Sequence, residues 1–190
     1  MKMLVNNQGK ALVVNGNALV VDDSNIIYQL YNHTCDGTAA TAINTGIYLF
    51  DTTLYPNGWD ITFDFTVNQF VNSTESYLRC RNSTSPNNGF SVRRDRNYST
   101  IQAQSNGTTK SMNILTGTRL IATVEKPTSD NKLKVTVGEY GGSPVIAETN
   151  VLSVVSPLVI GGELSNDTTQ AWNPDRFSKI TVHSLIITSK

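Results

Sequence analysis

Between Trp59 and Asn68 the chain reads WDITFDFTVN, and this stretch limits the fold more than any other. Trp59, Ile61, Phe63, Phe65 and Val67 share one face, while Asp60, Thr62, Asp64, Thr66 and Asn68 share the other. Alternation sustained over this length describes a strand with one buried face. The same alternation recurs in Leu120–Lys126 and Leu133–Val137. Further strand-like runs cover Tyr77–Arg81, Gly89–Arg93, Tyr98–Gln104, Val145–Val151, Pro157–Ile160 and Lys179–Thr188. Turn-forming clusters separate them: Pro56-Asn57-Gly58, Pro86-Asn87-Asn88-Gly89, Asn106-Gly107, Gly141-Gly142-Ser143-Pro144 and Gly161-Gly162. Asn and Gly tolerate the positive φ that tight hairpins require. No stretch carries an apolar stripe at helical spacing. Many short strands without helices specify an all-β fold, a two-sheet antiparallel jelly-roll sandwich.

A chain of 190 residues holds one such core, with room for a small appendage. Residues 1–23 read as that appendage. They contain an internal echo, VNNQGKALV followed by VNGNALV, and Asn15-Gly16 is a strong hairpin signal. A ribbon this short is marginal alone. The expected division is therefore an N-terminal β-ribbon over 1–23, serving as anchor or oligomerisation segment, and a sandwich domain over 24–190. Through the ribbon the chain would form a homo-oligomer, join other proteins, or both.

Charged residues make up only 16% of the chain and the formal net charge is +0. Bulk electrostatics thus favours neither nucleic acid nor an anionic membrane. The opening MKMLVNNQGK lacks the apolar run of roughly 7–15 residues that a signal peptide needs, and no run approaches the ~18 residues of a membrane span. Synthesis in a cytoplasm without export or membrane insertion is expected. Cys35 and Cys80 stand far apart with no CxxC-type neighbour, so two buried thiols are favoured over a disulfide. With only His33 and His183 besides, no zinc-ligand spacing exists.

From about Gly46 onward the order of features resembles the concanavalin A-like lectin/glucanase superfamily, particularly its laminin G-like branch. GIYLF leads into WDITFDFTVN, the central LKVTVGEY follows, PLVIGGE ends a strand on Ile-Gly-Gly, and RFSKITVHSLIIT closes the pattern. Residues 1–23 fall outside it. A short Asn/Gly-rich ribbon ahead of a lectin-like sandwich, with no export signal, is similar in style to bacteriophage fibre and decoration proteins of the virion. That resemblance implies a virion protein made in the host cytoplasm.

Because the superfamily includes glycosidases, paired carboxylates come first. The glucanase branch carries E-x-D-x-x-E on one strand, which is absent here. The best same-face pair, Asp60 and Asp64, would stand about 13 Å apart along a strand, whereas glycosidase carboxyl groups need roughly 5–9.5 Å. A solvated strand face is the better reading. G-x-S-x-G and H-E-x-x-H are also missing. No enzyme is expected.

Two places could bind a ligand. Alternation puts Tyr77, Arg79 and Arg81 on one face with Arg93 on a neighbouring strand. These arginines either pair with Asp60, Asp64 or Glu75, which is favoured, or grip an anionic sugar or phosphate. The second place is the long segment Glu163–Arg176, ELSNDTTQAWNPDR, where Trp172 sits with Asn173 and Asp175. An exposed Trp among amides and carboxylates suits a sugar ring, although Trp172 folding back to plug the sandwich is favoured. The superfamily resemblance adds a possible calcium ion at Asp167 and Asp175; otherwise no cofactor is implied. The leading expectation is a non-catalytic virion accessory protein of fibre or decoration type, contributing structure and glycan adhesion. The alternative is a free carbohydrate-binding module or lectin, with a glycoside hydrolase as a remote third.

Overall fold

A computed structural model describes residues 25–81, 88–94, 99–127, 132–150, 154–166 and 168–190, together with four two-residue strands nearer the N-terminus. Those four are β1 (Lys2–Met3), β2 (Val13–Val14), β3 (Asn17–Ala18) and β4 (Val20–Val21). Then come β5 (Ile26–Asp36), β6 (Ile43–Asn44), β7 (Trp59–Gln69), β8 (Glu75–Arg81), β9 (Gly89–Arg94), β10 (Thr100–Ser105) and β11 (Thr108–Asn113). The remainder are β12 (Arg119–Lys126), β13 (Lys132–Glu139), β14 (Val145–Asn150), β15 (Val159–Ile160), β16 (Leu164–Asn166), β17 (Ala171–Trp172) and β18 (Lys179–Ser189). No helix occurs among the described residues.

Two six-stranded antiparallel sheets form a sandwich, one ordered β14-β13-β12-β7-β18-β5 and the other β11-β10-β9-β8-β15-β6. The expected face of β7 is the centre of the core: Trp59, Ile61, Phe63, Phe65 and Val67 are all buried. Each such side chain removed from water contributes about 1.5–3 kcal/mol. Phe63 and Phe65 stack at 4.4 Å, while Trp59 reaches Phe90 of the opposite sheet at 5.7 Å. Polar bonds also tie the layers, with Ser105 Oγ donating to the Leu133 carbonyl (2.7 Å) and Asn106 Nδ2 to that of Asn150 (2.7 Å).

Several elements depart from the expectation. β5, IIYQLYNHTCD, is an edge strand with both faces partly exposed and a positive φ at Asn32 (51°), so its residues show no clean alternation. β11, TTKSMN, is likewise an edge strand and mostly polar. GIYLF is not a strand; Leu49 is buried, and the Ile47 carbonyl accepts from the Leu158 amide at 2.8 Å. Near the N-terminus, β2 pairs with β3, Val14 opposite Asn17, and β1 pairs with β4; the expected Asn15-Gly16 turn lies outside the described residues. Cys35 and Cys80 are buried free thiols. Cys35 lies under Gly161, where a Cβ would come within 2.4 Å of its Sγ, and the φ of +72° there also selects glycine.

Candidate functional site

β8 carries Glu75, Tyr77, Arg79 and Arg81, and its register decides where they point. A β-bulge between Ser76 and Leu78 interrupts pairing with β9. It corrects the expectation that Tyr77 shares a face with Arg79 and Arg81. Tyr77 is fully buried, packs on Phe65 at 5.6 Å and donates its hydroxyl to Glu75 Oε2 at 3.2 Å. A bulge adds one residue to a strand and so turns its neighbours to new faces, which strict alternation cannot anticipate. Beyond it Leu78 and Cys80 enter the core. Arg79 and Arg81 lie on the outer face, in register with Ser91 and Gly89.

The acidic partners differ from those expected as well. Asp60 and Asp64 belong to the other sheet, so neither can serve this face. Asp64 is held by Arg119 through two hydrogen bonds (2.9 and 2.6 Å), and Asp60 by Lys190 (2.8 Å). Glu75 pairs with Arg94 (3.4 Å) and accepts from the amides of Val71 and Asn72, pinning the 70–74 turn. Arg79 instead forms a salt bridge with Glu163. Arg81 donates to Gln104 (2.6 Å), which also accepts from Ser91 (2.9 Å), and Arg93 donates to Gln102 (3.2 Å). Arg79 and Arg81 are only 3% and 7% exposed, while Arg93 is half-buried. Buried and paired in this way, Arg79 and Arg81 hold the outer layer together and leave little guanidinium for a ligand. Gln102 and Gln104 were not singled out in the sequence, although their i, i+2 spacing on β10 puts both on one face. Nothing in the sequence marked Glu163 as the partner of Arg79.

Glu163 opens the segment that holds Trp172, so the two candidate places meet. The segment is not a bare loop: β16 and β17 pair, with Leu164 opposite Trp172. The Glu163 carbonyl accepts from the Asn173 amide (2.8 Å) and the Arg176 carbonyl from the Ser76 amide (3.2 Å), closing the hairpin onto β8. Trp172 is half-buried and folds back against Phe177, ring centroids 5.7 Å apart. Gly162 permits this, because a Cβ there would come within 3.0 Å of both rings. Asn173 is half-buried and Asp175 exposed, its amide donating to Asn173 Oδ1 at 3.2 Å. Asp167 lies outside the described residues. Among the described residues no group of three or more His, Cys, Asp or Glu side chains comes together.

At the hairpin tip Gln170 has a φ of 53°, a conformation that costs a non-glycine residue about 1–3 kcal/mol. The strained backbone places its side chain between two others. Asn44 Nδ2 donates to Gln170 Oε1 (2.7 Å), and Gln170 Nε2 donates to the Tyr48 hydroxyl (2.9 Å). Tyr48 therefore keeps its own proton for an outside acceptor. Asn166, Thr168, Thr169 and Tyr48 are exposed, and each is polar and uncharged. Sequence reasoning missed Asn44, Tyr48 and Gln170, which are brought together only by the tertiary fold.

No known protein family and no curated protein sequence matches the chain. Solved structures with a similar outline include the CBM40 of Ruminococcus gnavus IT-sialidase, at 13% identity and a TM-score of 0.49 over 85% of this chain and 91% of that one. Basic winged bean lectin with Tn-antigen overlaps at 9% identity and 0.46, over 86% and 97%. Alginate lyase AlgAT5, from polysaccharide lyase family 7, overlaps at 12% and 0.46, over 70% and 59%. At these identities and scores, they identify neither a ligand nor a reaction for this chain.

Proposed function

We propose that the chain is a non-catalytic binding module in which the sandwich presents the 163–176 hairpin to an uncharged, hydroxyl-rich ligand, a glycan. The observation that carries this reading is the Asn44–Gln170–Tyr48 relay at the hairpin tip, held in place at the cost of backbone strain. Preorganised amide and hydroxyl groups lose little entropy on binding and suit sugar hydroxyls. The arginine face supports an anionic ligand less well, since its guanidinium groups are already paired with Glu163, Gln102 and Gln104. Asp60 and Asp64, each tied to a cation, favour binding over hydrolysis. In the fuller form of the proposal, residues 1–23 attach the module to a larger assembly such as a phage virion, where it would serve in adhesion.

The test is a glycan array probed with the full chain and with Gln170→Ala. The expected result is retention of one or more neutral glycans by the native chain and loss of signal in the variant, with unchanged thermal melting. A blank array, or equal retention by both proteins, would remove the glycan reading. The virion part stands or falls separately, on whether the chain co-sediments with phage particles.

A further inference from the structure

The relay at the hairpin tip has a direction, and a backbone amide sets it. Asn44 lies in β6, opposite Val159 of β15, and its Oδ1 accepts from the Gly46 amide at 3.1 Å. A peptide N–H can only donate, so the oxygen of Asn44 must face Gly46 and its Nδ2 must face Gln170. Gln170 then turns Oε1 to Asn44 and Nε2 to the Tyr48 hydroxyl, at 2.7 and 2.9 Å. Turning either side-chain amide over, or both, would set two donors against each other. The frame around the relay is also tied down. The Thr45 amide donates to the Leu158 carbonyl (3.1 Å), the Leu158 amide to that of Ile47 (2.8 Å) and the Asp51 amide to that of Tyr48 (3.1 Å). Across the tip, Asn166 Oδ1 accepts from the amides of Thr168 and Thr169 at 2.8 and 2.9 Å, just ahead of Gln170.

Fixed in this direction, the relay is left with more donors than acceptors. Its three oxygens each accept one bond already. A primary amide carries two N–H groups and a phenol one O–H, and among the described residues no other group bonds these three side chains. One hydrogen on Asn44 Nδ2, one on Gln170 Nε2 and the Tyr48 proton are therefore unspent, and both Gln170 and Tyr48 are exposed. A sugar hydroxyl brought to these donors can accept, but it also brings a hydrogen of its own, and a donor left without a partner is penalised. The carbonyl of an amide offers two lone pairs and no hydrogen. A carboxylate does the same, but none of the three side chains carries the positive charge that would offset its loss of water. We propose, on the hairpin reading above, that the glycan bound there bears a 2-acetamido group, whose carbonyl oxygen accepts from the Tyr48 hydroxyl and the Gln170 amide.

The experiment is an amide proton–nitrogen NMR titration of the full chain with pairs of sugars that differ only at carbon 2. The pairs are N-acetylglucosamine and glucose, N-acetylgalactosamine and galactose, and N-acetylmannosamine and mannose, with glucuronate as the carboxylate counterpart. In at least one pair the acetamido sugar should shift the amides of residues 44–48 and 168–172 and bind about tenfold more tightly than its hydroxyl twin. Tyr48→Phe should bring the two members of that pair within about twofold of each other. Gln170→Glu changes the shape little but replaces the Nε2 donor with an acceptor, which turns the Tyr48 proton inward, so it too should abolish the preference. The proposal is overturned if the hydroxyl sugars bind as tightly as their acetamido twins, or if the preference survives Gln170→Glu; the hairpin reading then still stands. Tighter binding of glucuronate than of N-acetylglucosamine overturns it as well, in favour of a carboxylate ligand. If no sugar shifts the tip amides at millimolar concentration, the hairpin reading itself fails and the proposal falls with it.

Discussion

Phe63 and Thr62 adjoin in sequence, yet one lies at the centre of the core and the other faces water. Phe63→Ala should cost about 3–5 kcal/mol in urea unfolding, whereas Thr62→Ala should stay within about 0.5 kcal/mol; equal losses would mean the face assignment is wrong. Cys35 is a second residue-scale case, because burial, then the nearby Asp36, push its thiol up to about 12. It remains protonated and unreactive at neutral pH. Iodoacetamide at pH 8 should leave both cysteines of the native protein unlabelled and alkylate both in urea without prior reduction. Glu75 shows the opposite consequence of burial. Its carboxyl is raised from 4.5 by burial, which outweighs the amides of Asn72 and Val71, Arg94 and Tyr77. Between the unfolded and the folded value the native state therefore holds the extra proton, and stability falls as pH rises through that window. Asp36 and Asp51 are lowered, chiefly by hydrogen bonds from Thr38, Thr41 and Thr53, so their contribution fades instead as pH falls through their folded values. Glu75→Gln should remove the falling slope above pH ~4.5 and leave the acid-side loss; a slope unchanged by the variant would mean Glu75 is not its source.

At the scale of elements, the hairpin of β16 and β17 depends on a pin that its own sequence does not advertise. The Arg79–Glu163 pair is largely buried, at 4% and 18% side-chain exposure, whereas Lys190–Asp60 is open to water at 33% and 41%. Glu163→Ala deprives a buried guanidinium of its carboxylate and should cost about 3 kcal/mol. Lys190→Ala should cost less than about 1 kcal/mol. Similar losses in chemical denaturation would contradict the burial argument. This contrast also shows what was legible beforehand. β7, β12, β13 and β18 each bury one face, so alternation exposed them in the sequence. β5 and β11 lie at sheet edges where neither face is uniformly dry, and the signal vanished with the burial. Tyr77 was misplaced because a bulge changes side-chain parity without a compositional mark. Arg79, Arg81 and Arg93 were found by charge, but their pairing with Glu163, Gln104 and Gln102 is tertiary. Of the relay, Asn44 and Tyr48 lie more than a hundred residues from Gln170, beyond any local pattern.

For the whole molecule, the sandwich and the N-terminal ribbon make separable forecasts. The core residues lie at Cys35 and beyond among the described residues, so the sandwich has its own hydrophobic interior. Removing residues 1–23 should leave thermal melting within a few degrees of the full chain while abolishing any self-association seen by light scattering; unfolding of the shortened chain would make the ribbon part of the core. The functional account rests on uncharged groups at the hairpin, and salt separates it most directly from an arginine-based one. Electrostatic binding through Arg79, Arg81 and Arg93 would weaken steeply with ionic strength, because the screening length shrinks from about 10 Å at 0.1 M to about 3 Å at 1 M. The decisive measurement is the dissociation constant of the array-selected glycan in low and high sodium chloride, for the native chain and for Tyr48→Phe. The account predicts a constant that changes less than twofold with salt and weakens about tenfold when the Tyr48 hydroxyl is removed, the effect of roughly 1.4 kcal/mol. Binding that collapses in salt, or that ignores the loss of the hydroxyl, would contradict it.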